Sequence, residues 1–196
     1  MGWRDICRAT DERTVIASVL PRTPVGNKIP LIFAKEDARH CAALLANLDS
    51  LPLDFVARQK IGGTTLNYFI LKQFPVLPPT VYTEADLCFI VPRVLELTYT
   101  SHDLAAWAAD LGHTGNPFGF DPDRRALLRT ELDAYYARLY GLTRDELRYI
   151  LDPADTHGSD YPTVTFPGLK RNEETAYGEY RTRRLVIEAW DRHAAT

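Results

Sequence analysis

Cysteine is scarce in this chain. Cys7, Cys41 and Cys88 form an odd set at wide spacings, with no CxxC pair and no Cys/His cluster. That argues against a structural zinc site and against a disulfide framework, and makes a reducing cytoplasm the expected setting. Long apolar runs are missing too: no stretch approaches the roughly eighteen residues of a membrane-spanning helix. Met1-Gly2-Trp3-Arg4-Asp5 has no apolar signal region. A basic excess is also lacking. The 23 Lys/Arg against 26 Asp/Glu leave a formal charge of −3, which is not the footprint of an autonomous nucleic-acid binder.

The familiar catalytic motifs are absent as well. An N6-adenine methyltransferase needs an Asn/Asp-Pro-Pro-Tyr/Phe loop to hold and stack a flipped adenine. Leu77-Pro78-Pro79-Thr80 has the prolines without the polar residue or the aromatic. There is no glycine-rich strand-to-helix turn for a methyl donor or nucleotide, no G-x-S-x-G elbow and no HExxH helix. Asp152, Asp155, His157 and Asp160 are metal-ligand types, but they stand in a proline-rich loop without a recognised spacing. His102-Asp103 reads better as the first turn of a helix, where Asp103 complements the dipole. Glu12 and Lys28 make only a forced nuclease site.

What remains is an ordinary globular composition, 45% apolar and 25% charged over 196 residues, enough for one generous domain or two small ones. Charge is uneven along it. Residues 1–80 carry ten Lys/Arg and seven Asp/Glu, a net +3, whereas residues 81–196 carry thirteen and nineteen, a net −6. A polyanion should meet the first part, and the second is better suited to packing against protein.

The expected fold class is α+β: a small sheet-containing module over residues 1–80, then a mainly helical region over 81–196. Trp3 to Arg8, the β-branched run Thr14 to Leu20 and apolar Ile29 to Ala34 read as strands, separated by polar and proline turns. Opening in mid-sheet suggests a piece of something longer. Ala38, Cys41, Ala42, Leu45 and Leu48 then follow the i, i+3, i+4, i+7 rhythm of a helix with one apolar face. A second short helix covers Leu51 to Ile61, Gly62-Gly63-Thr64-Thr65 is a loop, Leu66 to Phe74 a strand or one helical turn, and Pro75 to Pro79 an extended linker. Beyond it, Thr83 or Glu84 opens a helix toward Tyr99 that Pro92 should break or restart. Ser101 caps a helix ended by Gly112, and Asp121-Pro122 starts one ended by Gly141. Thr143-Arg-Asp-Glu146 is a capping box. Asp152 to Lys170 reads as loop, and Glu173 to His193 as one terminal helix.

The candidate binding residues lie in the basic part. Arg8, Arg13, Arg22 and Lys28 fall in turns beside the early strands, and Arg58, Lys60, Thr64, Thr65 and Asn67 gather around Gly62-Gly63. Glycines let a backbone approach a phosphate, Lys/Arg supply charge, and Arg and Asn can read base edges. The same residues also describe a solvated basic loop, and Tyr68 and Phe69 suit a core as well as a stacking platform.

Several long segments carry a resemblance. They are Arg4-Asp5-Ile6, Thr10 to Pro21, Asn47 to Thr64 and Leu66 to Pro79, with Leu127 to Pro153 and Gly178 to Arg184 following. Together they resemble the TaqI-like C-terminal specificity region and helical tail of large N6-adenine methyltransferases, as found in type IIG and related restriction or phage-defence enzymes. The resemblance implies a DNA-recognition fragment with no catalysis of its own. Its partners would be double-stranded DNA and a methyltransferase catalytic domain or subunit. That absent domain, not this chain, would bind S-adenosylmethionine, so no cofactor is expected here. The upstream half of the recognition domain is absent as well. The reading from another class is a protein-interaction scaffold, docking on a methyltransferase or forming a homodimer without binding DNA.

Overall fold

The computed structural model describes residues 1–194. It is mainly helical with one small antiparallel sheet, broadly α+β as expected. The strands are β1 (Gly2–Trp3) and β2 (Ala17–Ser18). The helices are α1 (Ala38–Leu48), α2 (Leu51–Lys60), α3 (Tyr68–Leu71), α4 (Glu84–Thr98), α5 (Ala105–Asp110), α6 (Pro122–Leu139), α7 (Arg144–Leu151), α8 (Ala154–His157), α9 (Pro167–Tyr177) and α10 (Arg181–Ala194). Among the described residues no helix is long and apolar enough to cross a membrane.

The three strands read from the sequence shrink to two residues, one pair and a few bridges. Residues 1–7 still run as the middle of a ribbon. The Arg4 amide donates to the Ile16 carbonyl on one side, while those of Trp3, Asp5 and Cys7 donate to Pro30, Lys28 and Thr64 on the other. The run Thr14 to Leu20 fails to extend because carboxylates take its donors. The Thr14 and Val15 amides donate to Asp54 Oδ1 at 2.8 and 2.7 Å, and the Ala17 amide to Asp49 Oδ1 at 2.8 Å. Pro21, Pro24 and Pro30 remove further ladder donors. Leu66 to Phe74 resolves into the single helical turn α3.

The helical expectations fare better where a cap defines them. Asp121 accepts from the Asp123 and Arg124 amides, and the Thr143 box closes on Glu146. Pro92 does not break α4. The carbonyl it leaves without a donor belongs to exposed Cys88, where water can serve it. The expected terminal helix is two helices: Gly178 turns left-handed at φ 73°, and Glu173 bonds the Thr182 amide and hydroxyl to seat α10. Within the expected loop 152–170, α8 and the start of α9 are helical.

The main core joins Trp3, Leu45, Leu48, Leu53, Ile90, Val94 and Tyr136, so packing crosses the compositional step at residue 80. A second core under α10 gathers Leu51, Leu147, Phe166 and Trp190. Between the two runs a buried ionic network. Arg58 pairs with Asp54 at 2.9 Å, donates to the carbonyls of Ala9, Asp11 and Glu12, and lies 4.6 Å over the Phe166 ring. Asp133 of α6 pairs with Arg13 at 3.0 Å and accepts the Leu51 amide at 2.7 Å, capping α2 from another helix because Ser50 does not.

Replacing one member of a buried pair strands the other. Asp54→Ala removes the acceptor of two buried amides and leaves Arg58 unneutralised, which should cost about 3–5 kcal/mol. Urea unfolding followed by circular dichroism reads this directly. A midpoint equal to that of the wild type contradicts the assigned role.

Candidate functional site

The ribbon brings part of the candidate set together. Asp5 sits between Lys28 and Leu66: its amide donates to the Lys28 carbonyl, and its own carbonyl accepts from the Leu66 amide. Ile6 bridges Thr65, and Cys7 donates to Thr64, which places Arg8 beside that loop. Lys28, Thr64, Thr65 and Arg8 thus share one end of the ribbon. Lys60 ends α2, with only Ile61 between it and Gly62-Gly63, and is exposed. Lys28 Nζ meets the buried Asp5 carboxylate at 2.9 Å but keeps an exposed side chain. Arg8, Lys60 and Arg22 form no ion pair among the described residues. Arg22 stands apart, in the turn after β2.

Three candidates are held by the fold itself. Arg13 and Arg58 are not outward-facing DNA ligands in this conformation, because their guanidiniums are engaged in the buried network. Burial with a fixed counter-charge is cheaper than burial alone, so both stay inside. Asn67 uses its side-chain oxygen to cap α3 through the Ile70 amide. Asp152 and Asp155, considered as metal ligands, meet Lys170, Arg183 and Arg148 instead.

Gly62 and Gly63 deserve comparison with the other glycines. A Cβ at either would meet nothing within 4 Å, and neither has positive φ. Gly168, by contrast, lies 2.5 Å from the Thr10 carbonyl by the same measure, so it is required where α9 meets the 9–12 loop. No intramolecular contact requires glycine at 62 and 63. The loop surface is open to whatever approaches from outside. Two aromatics are strongly exposed, Phe33 at 86% and Phe69 at 76%; Phe33 follows the Leu31–Gly2 bridge, at the other end of the ribbon from Thr64. Tyr68 is fixed by hydrogen bonds to both backbone groups of Leu31 and packs edge-on against Trp3.

A cleft of about 660 Å³ lies on the other side of the network, between residues 10–18, α1, α4, α6 and α9. Asp49 lines it. Burial first, then the nearby charges of Asp133 and Asp54, push its carboxyl up to about 7, against the bond from the Ala17 amide and the Arg13 charge. The cleft escaped the sequence reading because Asp49, Arg13 and Asp133 are far apart in the chain and only the fold assembles them.

No family model matches the chain, and neither a curated protein nor a solved structure matches it.

Asp49 binds its proton more tightly in the folded protein than in the unfolded chain, where a carboxyl titrates near 4. The folded state therefore gains stability from that proton below pH 4 and loses it as pH rises from about 4 to about 7. Asp49→Asn keeps the acceptor for Ala17 and removes the titration. Its stability should fall less than the wild type's between pH 5 and 7.5 in paired urea titrations. Parallel curves for the two proteins contradict the elevated pKa.

Proposed function

We propose that this chain is a non-catalytic DNA-recognition module of a bacterial restriction-modification or phage-defence adenine methyltransferase, working in the cytoplasm beside a separate catalytic domain. The observation that carries the reading is the ribbon end: Arg8, Lys28, Thr64 and Thr65 gathered by backbone hydrogen bonds next to exposed Lys60 and an unobstructed Gly62-Gly63 loop. Hydrogen-bonded backbone with exposed cationic side chains suits phosphate contact, and small hydroxyls beside them suit groove edges. The resemblance of Thr10 to Pro21, Asn47 to Thr64, Leu66 to Pro79 and Leu127 to Pro153 to adenine methyltransferase specificity regions supports the same reading and is the basis for a methyltransferase partner. In this reading duplex DNA meets the basic ribbon, the catalytic partner binds S-adenosylmethionine, and Arg13 and Arg58 stiffen the module from within.

Binding should weaken steeply with salt, since phosphate contacts release counterions. Fluorescence anisotropy with a labelled duplex at 50 and 200 mM salt, with and without the catalytic subunit, measures it. Arg8→Ala and Lys60→Ala should each reduce the salt slope by about 1. The double variant Gly62→Ala, Gly63→Ala should keep wild-type stability and lose affinity. Affinity indifferent to salt, or a double alanine variant that binds like wild type, counts against the proposal.

The exposed rings of Phe33 and Phe69 favour a second reading, a protein-docking scaffold or homodimer that does not bind DNA. Light scattering separates the two. A dimer that Phe33→Asp and Phe69→Asp convert to monomer, in a chain that binds no duplex at either salt, supports the scaffold.

A further inference from the structure

The 660 Å³ cleft lies within the size range of small-molecule sites, roughly 300–1,000 Å³. Its floor is apolar, with Val15, Leu45, Val94, Leu97 and Leu132 contributing. Its charges do not cancel. On the acidic side, Asp11 pairs with Arg4, Glu12 accepts from Asn172, and Asp133 is held by Arg13 and the Leu51 amide. Asp49 accepts from the Ala17 amide. On the basic side, Arg125 donates to the Leu97 carbonyl and faces the Phe120 ring. Arg129 and Arg171 have neither hydrogen bond nor ion pair through their side chains among the described residues.

Arg129 is the more telling of the two. With Glu12, Arg13 and Asn172 it lines both this cleft and a smaller one of about 290 Å³. Its surface is exposed, yet desolvation first and the like charges of Arg13 and Arg125 lower its pKa, against the nearby carboxylates of Asp133 and Glu12. Those carboxylates are engaged elsewhere, Asp133 by Arg13 and Glu12 by Asn172, so the Arg129 guanidinium keeps its donors for an anion that enters the cleft.

We propose that this cleft binds a small phosphomonoester with an apolar body: the phosphate against Arg129 and Arg171, the body on the floor beside Leu97 and Leu132. A phosphomonoester dianion matches two unpaired cations, and guanidinium forks fit phosphate oxygens in pairs. An inorganic anion alone would leave the floor uncovered, and a neutral apolar molecule would leave the arginines unmatched. The site is independent of the DNA reading: of that candidate set only Arg13 lines the cleft, and its guanidinium is held by Asp133.

Phenyl phosphate is the probe, titrated into the full chain by calorimetry, with inorganic phosphate and phenol as its separate halves. Phenyl phosphate should bind at least about tenfold more tightly than either half, because only it uses both surfaces. Arg129→Gln and Arg171→Gln should each weaken it about tenfold, the usual consequence of losing a charge-assisted bond. Neither residue holds another in place, so thermal unfolding of both variants should match wild type. Arg22→Gln, a cation outside the cleft, should bind normally. Three results overturn the proposal: no heat with phenyl phosphate, equal affinity for phosphate alone, or an Arg22→Gln loss as large as that of Arg129→Gln. Loss of duplex binding with phenyl phosphate affinity intact would remove the recognition proposal and leave this one standing.

Discussion

The two buried guanidinium–carboxylate pairs, Arg58 with Asp54 and Arg13 with Asp133, govern how the rest of the chain is arranged. The first lies within α2 and the second reaches from residue 13 to α6, and the further bonds of both gather backbone that no sheet connects. Asp54 gathers the Thr14 and Val15 amides while holding Arg58, and Arg58 in turn collects three carbonyls of the 9–12 loop. Asp133 reaches from α6 to the first turn of α2 and to Arg13. Charges this deep repay their desolvation only when nearly every lone pair and proton has a partner, and here most do. The network therefore specifies one geometry for the loop between β1 and β2, which has too little sheet to specify its own.

That arrangement sorts the cations of the chain. On the acidic helices, arginines are matched locally: Arg124 with Glu96, Arg144 with Asp191, Arg148 with Asp145 and Asp155, and Arg184 with Glu179 and Glu188. Such exposed pairs add little stability individually, but they neutralise the surface. Arg8, Arg22 and Lys60 on the ribbon module have no such partners among the described residues, nor do Arg129 and Arg171 at the cleft. Lys35 and Lys72 are unpaired among the described residues as well, but two pairs share a place: Arg8 and Lys60 at the exposed ribbon end, and Arg129 and Arg171 in the concave cleft. The first suits a polyanion lying across it and the second a small anion entering it.

How much of this the sequence discloses differs by kind of feature. Helix starts marked by Asp121 and Thr143 are legible because a cap acts within three residues of itself. The β-branched run at Thr14 to Leu20 misleads, since its donors are taken by Asp49 and Asp54 rather than by a strand. Pro92 misleads in the other direction, because the cost of a helical proline depends on whether its orphaned carbonyl faces water. Among the candidate site residues, the grouping of Lys28, Thr64 and Thr65 emerges from the fold, while Arg13 and Arg58 carry the right chemistry for DNA and a different occupation.

By itself the sequence determined the helical character of the second part, its caps, the charge step near residue 80 and the lack of the quoted catalytic motifs, because each rests on composition or on neighbours a few residues apart. Tertiary structure alone decided which arginines face solvent, that the core runs through the charge step, and that Asp49 meets Arg13 and Asp133 beside a cleft. Those outcomes depend on contacts between residues dozens to more than a hundred positions apart, and whether a charge is buried or free is a property of what surrounds it, not of the side chain.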